Sequence, residues 1–311
     1  MSTIDACPMK AFRQYILHLS SGYESTDLIA GGAFAKGAEV TRKLFYNEGY
    51  GQDTAIEIGQ QALYEAYGDH IPLEGSSKTA EIVATALEQF FWQFPMDADS
   101  FQPAKLKDGG YAIEHHFSIE LPIKHPDFGI PLHYFGRGDM LGTLDSQLLL
   151  EDDKTTGSYF DKNWASSWDT RGQFSAYCWA LRKLGIPVVG ALVRGISLHK
   201  TSIKFAETVT HRSQFMVDNW EVQFYKKLQA FIDCYVAYRD SDQKNPALYF
   251  NGAWNEACNA YFKPCYFKNL CISGGGEPYL ADSYSQTIWL PHLQKQMDLD
   301  EYKATLNLPT A

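Results

Sequence analysis

The chain has 311 residues, of which 45% are hydrophobic and 14% aromatic, and it carries a formal net charge of −10. That composition excludes an intrinsically disordered chain, and the acidic balance argues against a protein that coats nucleic acid through a broad basic face. No uninterrupted apolar run reaches membrane-spanning length.

Taken in chain order, apolar periodicity predicts helices over residues 11–19, 27–48, 53–68 and 77–94, the last closing on Phe90-Phe91-Trp92. The Met1–Pro8 segment lacks the charged and apolar regions of a signal peptide, so a cytoplasmic protein of a bacterium or a phage-infected host is expected. Residues Pro95 to Gly110 form a loop. Ile113, His115, Phe117, Ile119 and Leu121 then alternate and predict a strand over 111–121. Two more strands are expected over 131–141 and 146–154, then a helix over 167–184 that Gly185 and Pro187 stop. Pro187 to Val193 reads as a buried strand, and residues 202–209 alternate again. A long helix over 212–239 carries Phe215, Trp220, Phe224, Leu228, Phe231 and Tyr235 on its apolar side. These elements by themselves predict an α/β domain with helical additions.

The chemistry concentrates where an apolar strand, Leu148-Leu149-Leu150, runs into Glu151-Asp152-Asp153-Lys154. Asp139, in Gly136-Arg137-Gly138-Asp139, precedes Asp152 by thirteen residues, so two strands joined by a tight turn bring both acids to one sheet edge. Carboxylates that close repel unless a hard divalent cation sits between them. On a strand Lys154 shares a face with Asp152, whereas Glu151 and Asp153 face the other way, and Glu151 reads as a solvated or salt-bridged acid. Taken alone, the Gly-x-Gly-Asp segment is equally a hairpin turn. Gln173 and Tyr177 stand four apart on one face of the following helix, where a buried hydrogen bond and a core contact are the plain alternative.

Asp139, Asp152-Asp153-Lys154 and Gln173-x-x-x-Tyr177 together resemble the PD-(D/E)XK nuclease core of the RecB type, shared with CRISPR-associated exonucleases, over about residues 113–196. The resemblance implies a restriction-endonuclease-like α/β fold: a central mixed sheet flanked by helices, with extra N- and C-terminal helical segments. It implies one nuclease domain over 1–311, with a helical part at 1–110, a core at 111–210, a helix and cysteine-rich clasp at 211–275 and a tail at 276–311. It also implies DNA hydrolysis, as an exonuclease in recombination, repair or phage DNA metabolism, on single strands or duplex ends. Recombination or helicase proteins would be partners, since the chain has no P-loop of its own.

In the resembled mechanism Mg²⁺ or Mn²⁺ is held by Asp139, Asp152 and the Asp153 backbone carbonyl, and Lys154, Gln173 and Tyr177 complete the catalytic set. The metal-binding histidine that many members carry is missing from Gly32–Glu39, which leaves Glu39 or Glu114 as the further acid. Basic residues available for phosphates are Lys105 and Lys107, Arg182 and Lys183, Lys200 and Lys204, and Lys226 and Lys227.

Three of the six cysteines, Cys258, Cys265 and Cys271, lie within fourteen residues, and Cys7 sits near the N-terminus. In a cytosolic chain such clusters point to metal rather than disulfides. The set resembles the iron–sulfur clasp of the CRISPR-associated and AddB-type nucleases, which implies a [4Fe–4S] cluster; zinc is the alternative. The gap from Cys258 to Cys265 is longer than the family's usual Cys-x2-Cys. Cys178 and Cys234 read as core residues. The competing function is a metal-clasped nucleic-acid-binding or scaffolding protein with a nuclease-like core.

Overall fold

The computed structural model describes residues 2–21, 25–107, 109–242, 245–255, 257–259, 264–274, 283–290 and 295–298. The expected tail at 276–311 and the stretch 260–263 inside the cysteine segment therefore fall largely or wholly outside the described residues.

In chain order the elements are α1 (Ser2–Ala6), α2 (Pro8–Ala11), a π turn (Phe12–Ile16), β1 (Leu19–Ser20), α3 (Thr26–Tyr46), α4 (Gln52–Tyr67), α5 (Ala80–Gln93), β2 (Gln102–Pro103) and β3 (Ile113–Lys124). There follow β4 (Pro131–Leu144), β5 (Gln147–Thr156), a 3₁₀ turn (Ser166–Trp168), α6 (Gly172–Lys183), β6 (Gly190–Leu198), β7 (Ile203–His211) and α7 (Gln214–Asp240). A 3₁₀ turn (Pro246–Leu248), α8 (Lys268–Ser273), β8 (Ser285–Leu290) and β9 (Lys295–Asp298) complete the set.

The chain divides into two compact units, one of residues 1–23, 120–133 and 222–311, the other of residues 24–119 and 134–221. The second unit draws on both the expected N-terminal helical part and the expected core. It is a mixed α/β arrangement, with a central six-stranded sheet flanked by helices. The strand order is β2-β4-β5-β6-β7, with β3 also paired to β4. β4 and β5 are antiparallel neighbours, and β6 and β7 likewise. β5 and β6 run parallel from Leu149–Gly190 to Thr156–Ser197. A parallel pair needs a crossover that packs back on the sheet, and α6 is that crossover.

Strand alternation sorts the two faces. Ile196 and Leu198 of β6 pack with Phe34, Leu63, Leu87 and Phe90 of α3, α4 and α5. Ala191 and Val193 pack on the opposite face with Phe174 and Tyr177 of α6 and with Trp164 and Trp168. Side-chain caps start the helices: Ser25 accepts from the Leu28 N–H for α3, and Thr79 from the Ile82 N–H for α5, each at 3.3 Å. α3 and α4 approach so closely that a Cβ on Gly59 would run into Thr41 of α3.

The other unit is built around Phe12, which stacks on Phe250 at 4.3 Å with Phe231 and Tyr238 beside it. β1, β8 and β9 form its three-stranded sheet.

Several elements differ from the sequence reading, and the loop expected over Pro95 to Gly110 carries the short strand β2, paired with β4. The helix expected over 11–19 is a π turn that ends before His18, whose φ of 54° is left-handed and breaks a helix. α6 begins at Gly172, because Ser166–Trp168 forms a separate turn. β6 begins at Gly190 rather than at residue 187, since Pro187 has no N–H for the ladder. No strand was expected beyond residue 209, yet β8 and β9 are present; β8 pairs with β1, a partner far away in sequence.

Candidate active site and cysteine cavity

β5 carries the dense acidic run, and its alternation sends successive side chains to opposite faces. Glu151 and Asp153 point toward α3. Arg42 of α3 donates to Glu151 at 3.0 Å and pairs with Asp153 at 2.9 Å. Arg194 of β6 contacts Glu151 at 3.0 Å and Asp99 at 2.6 Å. Arg42, Glu151 and Arg194 are all at most 3% exposed, so this is a buried ionic lattice beneath the strand. Burial pushes the Asp153 carboxyl up, and Arg42 opposes that shift. Removing one partner of such a lattice strands a buried charge. Arg42→Met is expected to destabilise the protein by about 3–5 kcal/mol, read as the midpoint of urea unfolding followed by circular dichroism.

Asp152 and Lys154 face the other way, toward α6. The Lys154 ammonium pairs with Asp152 Oδ1, and Gln173 Nε2 donates to Asp152 Oδ2 at 3.0 Å. Gln173 also donates to the Tyr177 hydroxyl at 3.0 Å. The β4–β5 ladder is paired as far as Met140 and Glu151. Asp139, one residue further, accepts from the Asp153 backbone N–H at 2.8 Å through Oδ2. Asp139 therefore does not sit in a separate turn: it is bonded to β5 beside Asp152. Asp152 is 2% exposed. Burial raises its carboxyl above the ordinary range, Lys154 pulls it down and the charge of Asp139 pushes it up again. Burial would lower the Lys154 ammonium, but Asp152 and Asp139 outweigh that and raise it.

Of the two further acids, Glu114 is the one the fold brings to Asp139. It is the second residue of β3, with a left-handed φ of 54°, and is 7% exposed. Its Oε2 lies 2.8 Å from Arg137 Nε yet receives no aligned hydrogen bond. Burial, and then the charge of Asp139, pushes its pKa up to about 7. Non-glycine residues in that backbone region are strained, and such strain gathers at functional sites. Glu39 is paired with Lys43 at 2.6 Å and Lys36 at 3.1 Å, and its charge adds to the rise at Glu114. Burial would raise its carboxyl, but those two lysines hold it below the usual range.

The Glu114 shift has a measurable sign. Its folded pKa lies above the ordinary 4.5, so its contribution to stability is full below pH 4.5 and is lost as pH rises through 7. Glu114→Gln is expected to match the parent near pH 4.5 and to exceed it by up to about 3 kcal/mol near pH 8. Thermal melts in EDTA across that range check it.

No family model and no curated protein matches this chain. A solved structure titled "Crystal structure of SSO0001" aligns with 70% of this chain and 83% of that one, at 12% identity and a TM-score of 0.27. So loose a likeness carries no argument about fold or activity.

The cysteine-rich unit holds a cavity of about 440 Å³ lined by Cys7, Cys258, Cys265 and Cys271 together with Lys10, Arg13 and Lys268. All six cysteines are free thiols. Arg13, 7% exposed, donates through Nη1 to Cys271 Sγ at 2.9 Å and to the Phe267 carbonyl at 3.1 Å. Among the described residues no carboxylate is ion-paired with Arg13. The Cys265 backbone N–H bonds to the Cys258 carbonyl at 2.8 Å. Burial raises the Cys265 thiol, with Cys271 and Cys7 adding to the rise. Among the described residues no three His, Cys, Asp or Glu side chains are arranged to hold a single metal ion. Cys178 is buried on α6, as expected of a core residue, and Cys234 packs beside Phe12 and Phe250.

Three of the eight basic residues picked from sequence make structural ion pairs or hydrogen bonds. Arg182 bonds to the Val188 and Arg212 carbonyls, Lys183 pairs with Glu221 and Lys227 with Asp5. Four arginines here have no role assigned from sequence: Arg13, Arg42, Arg137 and Arg194. Nothing in local sequence pairs Arg42 with β5, 109 residues away. Arg137, two residues before Asp139, was the one within reach of motif reasoning.

Proposed function

We propose that this chain is a divalent-metal-dependent DNA nuclease of the PD-(D/E)XK, RecB-like type, acting as an exonuclease in recombination, repair or phage DNA metabolism. The observation that supports it most is the meeting of Asp139, Asp152, Lys154 and Gln173, drawn from β4, β5 and α6, on one face of the sheet. Burial, and after it the charge of Asp139, pushes the Asp152 and Glu114 carboxyls upward, which is a poor structural solution and a good cation site.

Asp139 and Asp152, with the Asp153 carbonyl from the main chain, would hold Mg²⁺ or Mn²⁺, and Glu114 would add its charge beside Asp139. When bound, the ion acts as a Lewis acid on the phosphodiester and lowers the pKa of a bound water. Lys154, kept protonated by its acidic neighbours, orients the attacking water and offsets charge that builds on the phosphate. Gln173 fixes Asp152 and ties it to Tyr177. The buried lattice of Arg42, Glu151 and Arg194 holds β5 from behind, so that its acids do not move apart.

The direct test is cleavage of end-labelled single-stranded and duplex oligonucleotides with Mg²⁺, with Mn²⁺ and with EDTA. Metal-dependent release of mononucleotides is the expected result. Binding without cleavage under every metal condition would sink the nuclease and leave the scaffolding reading.

The cysteine cavity supports a [4Fe–4S] cluster as a second, structural centre. A guanidinium is always charged, and a buried one bonded to a cysteine sulfur calls for an anionic sulfur centre. One tetrahedral zinc would draw four sulfurs to about 2.3 Å from a single point. A cavity of about 440 Å³ lined by four thiols has room for a body larger than a single ion.

A further inference from the structure

The loop between β5 and α6 holds four aromatic residues, Tyr159, Phe160, Trp164 and Trp168, in a stretch of ten. Gly195 on β6 is the ladder partner of Lys154. Phe160 and Trp164 pack against it: a Cβ built on Gly195 would lie 2.5 Å from Trp164 and 2.7 Å from Phe160. Neighbouring strands are about 4.8 Å apart, so the loop is anchored one strand away from Lys154, on the face that carries Asp152. Ser197 ties it down again, donating to the Ser158 carbonyl at 2.7 Å.

Tyr159 is the exception in this loop. It stays 65% exposed. Its ring stacks on His199 with centroids 3.7 Å apart and planes 15° off parallel, and His199 is itself held by Ser197 at 2.7 Å. The Lys204 ammonium sits 5.5 Å from the Tyr159 ring centroid, and Lys200 and Lys162 are exposed nearby in sequence. A large ring held rigidly in solvent gains nothing for the core. A fixed π-face with the Lys204 ammonium beside it matches an unpaired base and its phosphate.

We propose that Tyr159, backed by His199, is a base-stacking subsite that seats a nucleotide of single-stranded DNA next to the catalytic face, with Lys204 and Lys200 on its phosphates. Tyr159 stands five residues beyond Lys154, so chain reach limits their separation to about 17 Å, two to three nucleotides. Stacking needs an unpaired base, and a blunt duplex offers none along its length. The subsite rests on the nuclease reading for the identity of its ligand.

The test uses the whole protein in EDTA, with fluorescein-labelled dT12, U12 and a blunt 12-base-pair duplex followed by anisotropy. Hydrolysis of bis-p-nitrophenyl phosphate with Mn²⁺ serves as a separate readout of the catalytic face. Tyr159→Leu is expected to weaken dT12 binding roughly tenfold or more, while Tyr159→Phe keeps it and both variants hydrolyse the small ester as the parent does. Duplex binding should be weaker than dT12 binding and should not change in Tyr159→Leu. Parent-like dT12 affinity in Tyr159→Leu, an equal loss on duplex, or a preference for U12 would overturn the proposal. Failure of the parent to hydrolyse the ester, with Tyr159-dependent dT12 binding intact, would fault the catalytic reading and support the subsite.

Discussion

Asp152→Asn should lower Mn²⁺-dependent cleavage of an oligonucleotide by at least about 10²–10³-fold, the cost of losing one group that stabilises transition-state charge, and leave the fold intact. The side chain is 2% exposed and both its oxygens are engaged, by Lys154 and Gln173. Asparagine keeps the volume and an acceptor for Gln173 but cannot balance the ammonium or hold a cation by charge. Because burial makes the ionised form of Asp152 unfavourable, the neutral variant should melt no lower than the parent above pH 7. Turnover and the melt must therefore part company. Wild-type cleavage in Asp152→Asn removes the site; a collapsed melt moves Asp152 from chemistry to structure.

Cys7→Ser should strip most of the iron from protein purified without oxygen and bleach its brown colour. Cys7 lines the same cavity as Cys258, Cys265 and Cys271, although it stands about 250 residues before the other three. A centre that joins segments this distant closes a long loop, and its binding energy is folding energy. The variant should lose about 10 °C or more in the melt of the cysteine-rich unit, on the scale of several kcal/mol that metal loss carries. Arg13→Gln, which removes the charge and keeps the size, should shift the visible spectrum or the reduction potential without removing iron. A colourless parent with one zinc per chain would replace the cluster by a mononuclear site. A parent with no metal at all would remove the clasp and leave Asp152 untouched.

Local pattern carried much of this molecule. Alternation in Ile113–Leu121 and the apolar run Leu148–Leu150 marked β3 and β5 to within a few residues, because a strand's face is decided by period-two burial along its own length. The 3.6-residue spacing of α3 to α6 did the same for helices. Residues two or four apart on one element, such as Asp152 with Lys154 and Gln173 with Tyr177, are placed together by sequence spacing alone. Boundaries failed where a non-local cause acted: His18 leaves the helix because the next residues pair with β8.

What sequence alone determined, then, is the set of groups on each element: the acids and lysine of β5, the glutamine and tyrosine of α6, the clustered cysteines. Only tertiary structure decided which groups meet. The charge of Asp139 acts on Glu114, while Glu39 is paired with two lysines. Alternation along β5 turns Glu151 and Asp153 away from the site, but only the tertiary structure brings Arg42 and Arg194 to meet them there. Arg13 reaches a sulfur 258 residues away. Charge pairing of this kind acts through space at a few ångströms, and sequence spacing along a strand or helix constrains only neighbours on the same element.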